Sequence, residues 1–99
     1  MRVNTEFDPV CSVHFSPDSK ALVAGLQKTN STRVYKIGKK ESSYELVQAV
    51  EVADLHPEAG LIRAKIGVQL SSGVQTGAFL FHQYHDSTVV LTDLRYIAI

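Results

Sequence analysis

An all-β, antiparallel, repeat-built fold is the prediction, and three observations make it. Apolar residues alternate or cluster in short runs and never hold a 3.6-residue period. β-Branched and aromatic residues fill those runs, as strands prefer. A segment from Thr29 to Ile37 returns in pattern as Asp86 to Leu94.

Each element follows from local chemistry. A first segment, Arg2 to Phe7, ends at Asp8-Pro9, where proline fixes φ and drives its predecessor out of the helical region. Val10 to Phe15 alternates, with Cys11, Val13 and Phe15 expected on a covered face and Ser12 and His14 on the other. Ser16-Pro17-Asp18-Ser19 has turn chemistry: proline pre-sets one dihedral, and Asp and Ser side chains bond backbone N–H groups. Ala21 to Leu26 is apolar on both faces, which predicts a strand covered from both sides. Gln27 to Asn30 turns the chain, Ser31 to Ile37 is a strand, and Gly38 to Ser43 is expected to be a solvated connection. A strand from Tyr44 to about Val52 precedes a loop, Asp54 to Gly60. Leu61 to Leu70, Ala78 to Tyr84 and Thr88 to Leu94 are the remaining strands, with Ser71-Ser72-Gly73 as a turn. The apolar tail Arg95 to Ile99 is expected to begin another strand.

Composition narrows the function classes. The chain has 99 residues, 44% hydrophobic and 20% charged, the balance of a globular domain and not of a disordered tail. Ten basic residues offset ten acidic ones, so no broad field draws in nucleic acid or an anionic membrane. One cysteine excludes an intramolecular disulfide and a four-thiol zinc site, and favours a reduced, cytoplasmic setting. No apolar run approaches the ~20 residues that cross a bilayer, and no signal-peptide pattern opens the sequence.

The repeat is the most informative feature. Aligning Thr29 to Ile37 with Asp86 to Leu94 matches Tyr35 to Thr92, an offset of 57 residues (92 − 35). That exceeds the about 40 to 45 residues of a typical propeller blade, the excess falling in loops at Gly38 to Ser43 and Asp54 to Gly60.

The segment Asp86 to Leu94, DSTVVLTDL, resembles the D-x-T-V-x-L-W-D-L ending of a WD40 repeat, with Thr92 where tryptophan usually stands. Val13 to Gly25, VHFSPDSKALVAG, resembles the first two strands of such a blade and the turn between them. Over nearly the whole chain the sequence is similar to the opening blades of the transducin β-like protein 2 family of WD40-repeat proteins; Gly67 and the spacing of Arg33-Val34-Tyr35-Lys36 fit that pattern. The resemblance implies about two antiparallel four-stranded blades, a first over residues 1–53 and a truncated second over 54–99, in an incomplete β-propeller. It assigns the structural motif positions to Asp86, Asp93, Tyr35 and Thr92, and places Thr29 where the first blade would have aspartate. In such blades a turn aspartate, a loop histidine and a strand hydroxyl hydrogen-bond toward the tryptophan; His56, far upstream of Ile66, is the candidate loop histidine. Two repeats do not close a ring of four to eight blades, so a fragment of a longer propeller is expected.

Other constellations are weighed on spacing. His82, His85 and Asp86 with His56 are candidate metal ligands, but His82 and His85, three apart at a strand end, diverge; turn and surface roles are expected. Cys11 and His14 diverge likewise, so a core cysteine is preferred to a nucleophile. Asn30-Ser31-Thr32 fits a glycosylation consensus that is frequent by chance. Lys36, Lys39 and Lys40 are too few for a nucleic-acid stripe and have no aromatic platform beside them. Ser16-Pro17 and Ser42-Ser43 are candidate phosphorylation sites by exposure alone.

With no catalytic constellation, metal or cofactor expected, the reading is a non-catalytic interaction scaffold. Its partners are proteins, not DNA, and no membrane span is expected in this chain. The resemblance implies stress-signalling or translation partners, the unfolded protein response, and the cytosolic face of the endoplasmic reticulum, with the family's anchor absent from this chain. Two alternatives are a small β-barrel binding RNA or a small ligand, and a metal-dependent protein using His82 and His85.

Overall fold

Alternating side chains with turn residues between them fold into seven strands in the computed structural model, which describes residues 4–41 and 43–94. They are β1 (Val10–Phe15), β2 (Ala21–Leu26), β3 (Ser31–Lys40), β4 (Ser43–Val52), β5 (Leu61–Ser71), β6 (Val74–Tyr84) and β7 (Val89–Asp93). β1-β2-β3-β4 form one antiparallel sheet in chain order and β5-β6-β7 a second. No α-helix occurs among the described residues. The architecture is all-β and consistent with partial WD40 blades; the described residues form no closed propeller. The shortest dimension, 18 Å, is what two sheets about 10 Å apart require.

Turn chemistry sets the first hairpin. Ser16 Oγ donates to Asp18 Oδ1 at 2.6 Å and accepts from the Ala21 amide, while the Lys20 amide donates to Asp18. These bonds, Ser16's foremost, hold the Asp18 carboxyl below its ordinary pKa. Ser19 takes φ +61°, and so closes a turn that type II and primed geometries usually give to glycine.

The two sheets are copies of one design. Both first hairpins carry an irregularity at the same place, between Val10 and Ser12 and between Leu61 and Arg63. Pairings correspond throughout: Phe15 with Leu22 and Leu22 with Tyr35 in the first sheet match Ile66 with Leu80 and Leu80 with Thr92 in the second. The 57-residue offset holds for β3 and β7, but becomes 58 for β2 and β6 (80 − 22) and 51 for β1 and β5 (66 − 15). The longer β5–β6 hairpin, with 14 residues from Ile66 to Leu80 (80 − 66) against 7 from Phe15 to Leu22 (22 − 15), accounts for the step from 51 to 58, and turn length for the step from 58 to 57. Gln27 to Asn30 joins β2 to β3, whereas Tyr84 N already donates to Thr88 O, leaving a shorter turn between β6 and β7.

One face of each sheet meets the other. Val23 and Val34 from the first sheet pack with Ala64, Ile66 and Leu80 from the second, flanked by Ala21, Val52 and Leu94. β2 is covered on both sides, as its unbroken apolar run predicts: Leu22 and Ala24 join Tyr35 on the opposite face, with Ile37 and Leu46 beside them. Contact is closest at Gly25, where a Cβ would stand 2.8 Å from Ser12 Oγ and 3.3 Å from a Leu61 methyl. Only a residue without a side chain lets β5 approach there.

Several expectations are corrected. Val13 and Phe15 are exposed, while Ser12 turns to the second sheet and its Oγ accepts from the Ala64 amide. The apolar face of β1 therefore looks away from the inter-sheet core. Gly38 to Ser43 is not a solvated connection, because β3 runs on to Lys40 and β4 begins at Ser43. The β6 strand starts at Val74, so β5 and β6 form a long hairpin turning at Ser72 and Gly73, both with positive φ. In the first segment, Asn4 to Phe7 is a turn with positive φ at Glu6 and Phe7, and Arg2 and Val3 lie outside the described residues. The expected tail strand, 95–99, and Ser42 also lie outside them.

Candidate functional site

The loops at one end of the sheets are tied into a continuous rim. Its first part joins the segment before β1 to the β2–β3 turn. Asp8 is buried; its Oδ1 accepts from the Lys28 amide at 2.7 Å and its Oδ2 from Thr29 Oγ1 at 2.6 Å. Because the Thr29 proton points to Asp8, the Ser31 hydroxyl, 2.6 Å away, donates to Thr29. Burial works against the charged carboxyl, but the bonds from Thr29 and Lys28 outweigh it and hold the Asp8 pKa below the ordinary value.

The second part joins the loop before β5 to the β6–β7 turn. His56 Nε2 donates to Asp86 Oδ2 at 2.6 Å, and His56 Nδ1 lies 3.0 Å from Glu58 Oε2. Asp86 also accepts from the Thr88 amide, which fixes the turn. Carboxylates at both ring nitrogens favour the imidazolium. The Asp86 bond foremost raises the His56 pKa, and His56 in turn draws the Asp86 carboxyl down to about 2.

The two ties are one device with its chemistry exchanged. Thr29 and Asp86 occupy equivalent turn positions, 57 residues apart. In the first sheet the loop supplies the acid and the turn the hydroxyl; in the second the loop supplies the base and the turn the acid. The structure thus brings His56 to Asp86 despite its distance in sequence from Ile66. The Asp8 tie was missed, since Asp8-Pro9 reads as a turn former and its partners Lys28 and Thr29 lie 20 and 21 residues along the chain.

Asn30 connects the parts. Its Oδ1 accepts from the Leu61 amide at 3.0 Å and its Nδ2 donates to Ala59 O at 3.3 Å. Asn30-Ser31-Thr32, a consensus given little weight in the sequence, has both amide atoms of Asn30 engaged and Ser31 and Thr32 buried. On the outer surface of this rim Lys28, Leu55, Glu58 and His85 are exposed.

The remaining candidates fall elsewhere. His82 is not a surface residue: it is 1% exposed, on the inward face of β6 with Leu80 and Tyr84, and shares a 2.8 Å hydrogen bond with Thr32 Oγ1 across the sheets. Burial pushes its pKa down. His85 lies in the turn, away from His82, and no group of three metal-ligating side chains converges among the described residues. Cys11 is half-buried, and burial pushes its thiol pKa up, against thiolate chemistry. Lys39 does have an aromatic neighbour, its Nζ lying 5.7 Å from the Tyr44 ring centroid across the hairpin. Tyr35 is buried against Leu22 and Ala24; Thr92 pairs with Leu80, and Asp93 with Phe79. Of the four motif positions, Asp86 belongs to the rim.

The rim has an expected pH response. His56, raised in the fold, contributes stability that is complete below the unfolded value of about 6.5 and lost as pH rises through its folded value. Asp86, lowered, contributes stability present above about 3.8 and lost as pH falls through about 2. Asp86→Asn should therefore lower the urea midpoint clearly at pH 5.5 and much less at pH 9, measured by circular dichroism.

The chain is similar to transducin beta-like protein 2 of Homo sapiens, at 31% identity over 96 residues, and of Mus musculus, at 30% over 96 residues. Each alignment covers 96% of this chain and 20% of the relative, so the chain spans about a fifth of the length of the curated relatives it matches. No family model matches the chain, and no solved structure matches it.

Proposed function

We propose that the chain is a non-catalytic protein-interaction scaffold of the WD-repeat kind, binding through the rim. The observation that carries this reading is the pair of repeat-related sheets whose loops are tied to one another by Asp8–Thr29, Asn30–Leu61 and His56–Asp86. A scaffold needs loops held by a rigid frame, and these ties hold theirs at small cost in ordering entropy on binding. Similarity along 96% of the chain to transducin beta-like protein 2 supports the family side of the reading.

In this proposal the first blade takes residues 1–53 and the second 54–99, with Asp86, Asp93, Tyr35 and Thr92 at the motif positions. Partners from translation or stress signalling, and a place at the cytosolic face of the endoplasmic reticulum, follow from the family resemblance and not from geometry.

A photo-crosslinking amino acid at Leu55 tests it, with one at Val74, on the exposed far end of the β5–β6 hairpin, as control. The expected result is protein adducts from cells at position 55 that include translation or stress-response components. They should disappear on Lys28→Glu with His85→Glu while the melting curve is unchanged. Equal adducts at positions 55 and 74, insensitive to those changes, would contradict the rim as binding surface.

A further inference from the structure

At the end of the strands opposite the rim, the two sheets stop at different levels. In the first sheet the β1–β2 hairpin closes directly after the pair Phe15–Leu22, through Ser16 to Lys20. The equivalent pair in the second sheet, Ile66–Leu80, is followed by five more, from Gly67–Phe79 to Ser71–Val74. The inward face of β5 and β6 therefore runs on past the first hairpin. Val68 and Ala78, paired across it, continue the row of Ile66 and Leu80 but are only half-buried, as is Leu94 beside them.

A cleft of about 200 Å³ fills this step, and its two walls differ in chemistry. Ile66, Val68, Ala78 and Leu94 make the second-sheet wall apolar. The first sheet answers with Lys20 and Lys36, both exposed. Lys36 pairs with Ala21, which flanks the inter-sheet core, and the Ile37 amide donates to the Lys20 carbonyl at 2.8 Å, so the turn is tied to β3 and both lysines reach one place. Asp18 lines the cleft too, but its carboxylate accepts from Ser16 Oγ and the Lys20 amide and lies in the field of the Lys20 ammonium. Lys36 has no ion pair among the described residues, and its charge is the unbalanced one.

We propose that this cleft docks an extended acidic segment of a partner protein, an aliphatic side chain seated on the second-sheet wall and a neighbouring Asp or Glu on Lys36. Successive side chains of an extended chain point to opposite sides, so alternating aliphatic and acidic residues meet both walls at once. The volume is below the ~300 Å³ of the smaller ligand pockets and suits side chains of a segment laid across it. This surface is separate from the rim and goes beyond the scaffold reading.

Methyl NMR of the full chain, titrated with the capped pentapeptide Glu-Val-Glu-Val-Glu, reads the result. The methyl signals of Val68, Ala78 and Leu94 should shift, and those of Leu55 at the rim should not. Lys36→Glu should weaken the peptide at least roughly 10-fold, since it turns an attraction into a repulsion, and should admit Lys-Val-Lys-Val-Lys, which the parent refuses. Lys36 is exposed, so this change leaves the core in place, and circular dichroism confirms it. An acidic peptide that shifts none of these methyls at millimolar concentration, or that binds Lys36→Glu as well as the parent, overturns the proposal. So does decanoate shifting them where the peptide does not, which gives the cleft to a fatty acid. Crosslinking at Leu55 reads the rim, so either surface can fail without the other.

Discussion

Leu80→Ala is expected to lower the folding free energy by about 3 to 5 kcal/mol, the range for deleting a leucine side chain from a core that relaxes only in part. Leu80 is 0% exposed and lies where Val23, Val34, Ala64 and Ile66 meet. A domain of this size has about 5 to 15 kcal/mol in all, so the loss takes a large share of it. Urea unfolding followed by circular dichroism measures it as a shift in midpoint with little change in slope. A midpoint shift equivalent to less than about 1 kcal/mol would mean that the sheets do not pack through this residue.

Thr32→Val should cost about 1 to 3 kcal/mol, although valine matches threonine in shape. Thr32 and His82 are both buried, and His82 Nδ1 already has no hydrogen-bond partner among the described residues. Removing the hydroxyl leaves the ring with nothing at Nε2 as well. Thr32→Val combined with His82→Leu should recover most of the loss, since an apolar pair leaves no group unsatisfied; the chemical-denaturation cycle of parent, singles and double measures the coupling. The histidine also gives the pair a pH signature. Its lowered pKa contributes stability that is present above about 6.5 and lost as pH falls through the folded value. His82→Leu should remove that acid loss, leaving the opposite-signed response of His56 exposed.

Strand positions and the repeat were legible because they rest on local pattern. Alternation and turn residues located β1, β2 and β7 closely, and matching Tyr35 to Thr92 gave the true register of β3 against β7. What local pattern does not encode is which face of a strand meets the other sheet. Cys11, Val13 and Phe15 read as a buried face because they are apolar, yet Ser12 faces the core, where its hydroxyl is needed by an amide. His82 was misread for the same reason: a polar residue at a strand end looks exposed unless Thr32, distant in sequence, is known to await it. The rim was half legible. Asp86 follows from its turn and His56 enters as a candidate through the blade resemblance, whereas Asp8 and Asn30 act across the chain.

β5 is an edge strand, and Asn30 and Ser12 of the first sheet engage its Leu61 and Ala64 amides. These two anchors stand three residues apart, so sliding or swivelling the second sheet would break both at once. The angle between the two modules is thereby dictated by side chains of the earlier one, so a change at either Ser12 or Asn30 would re-aim the whole second sheet.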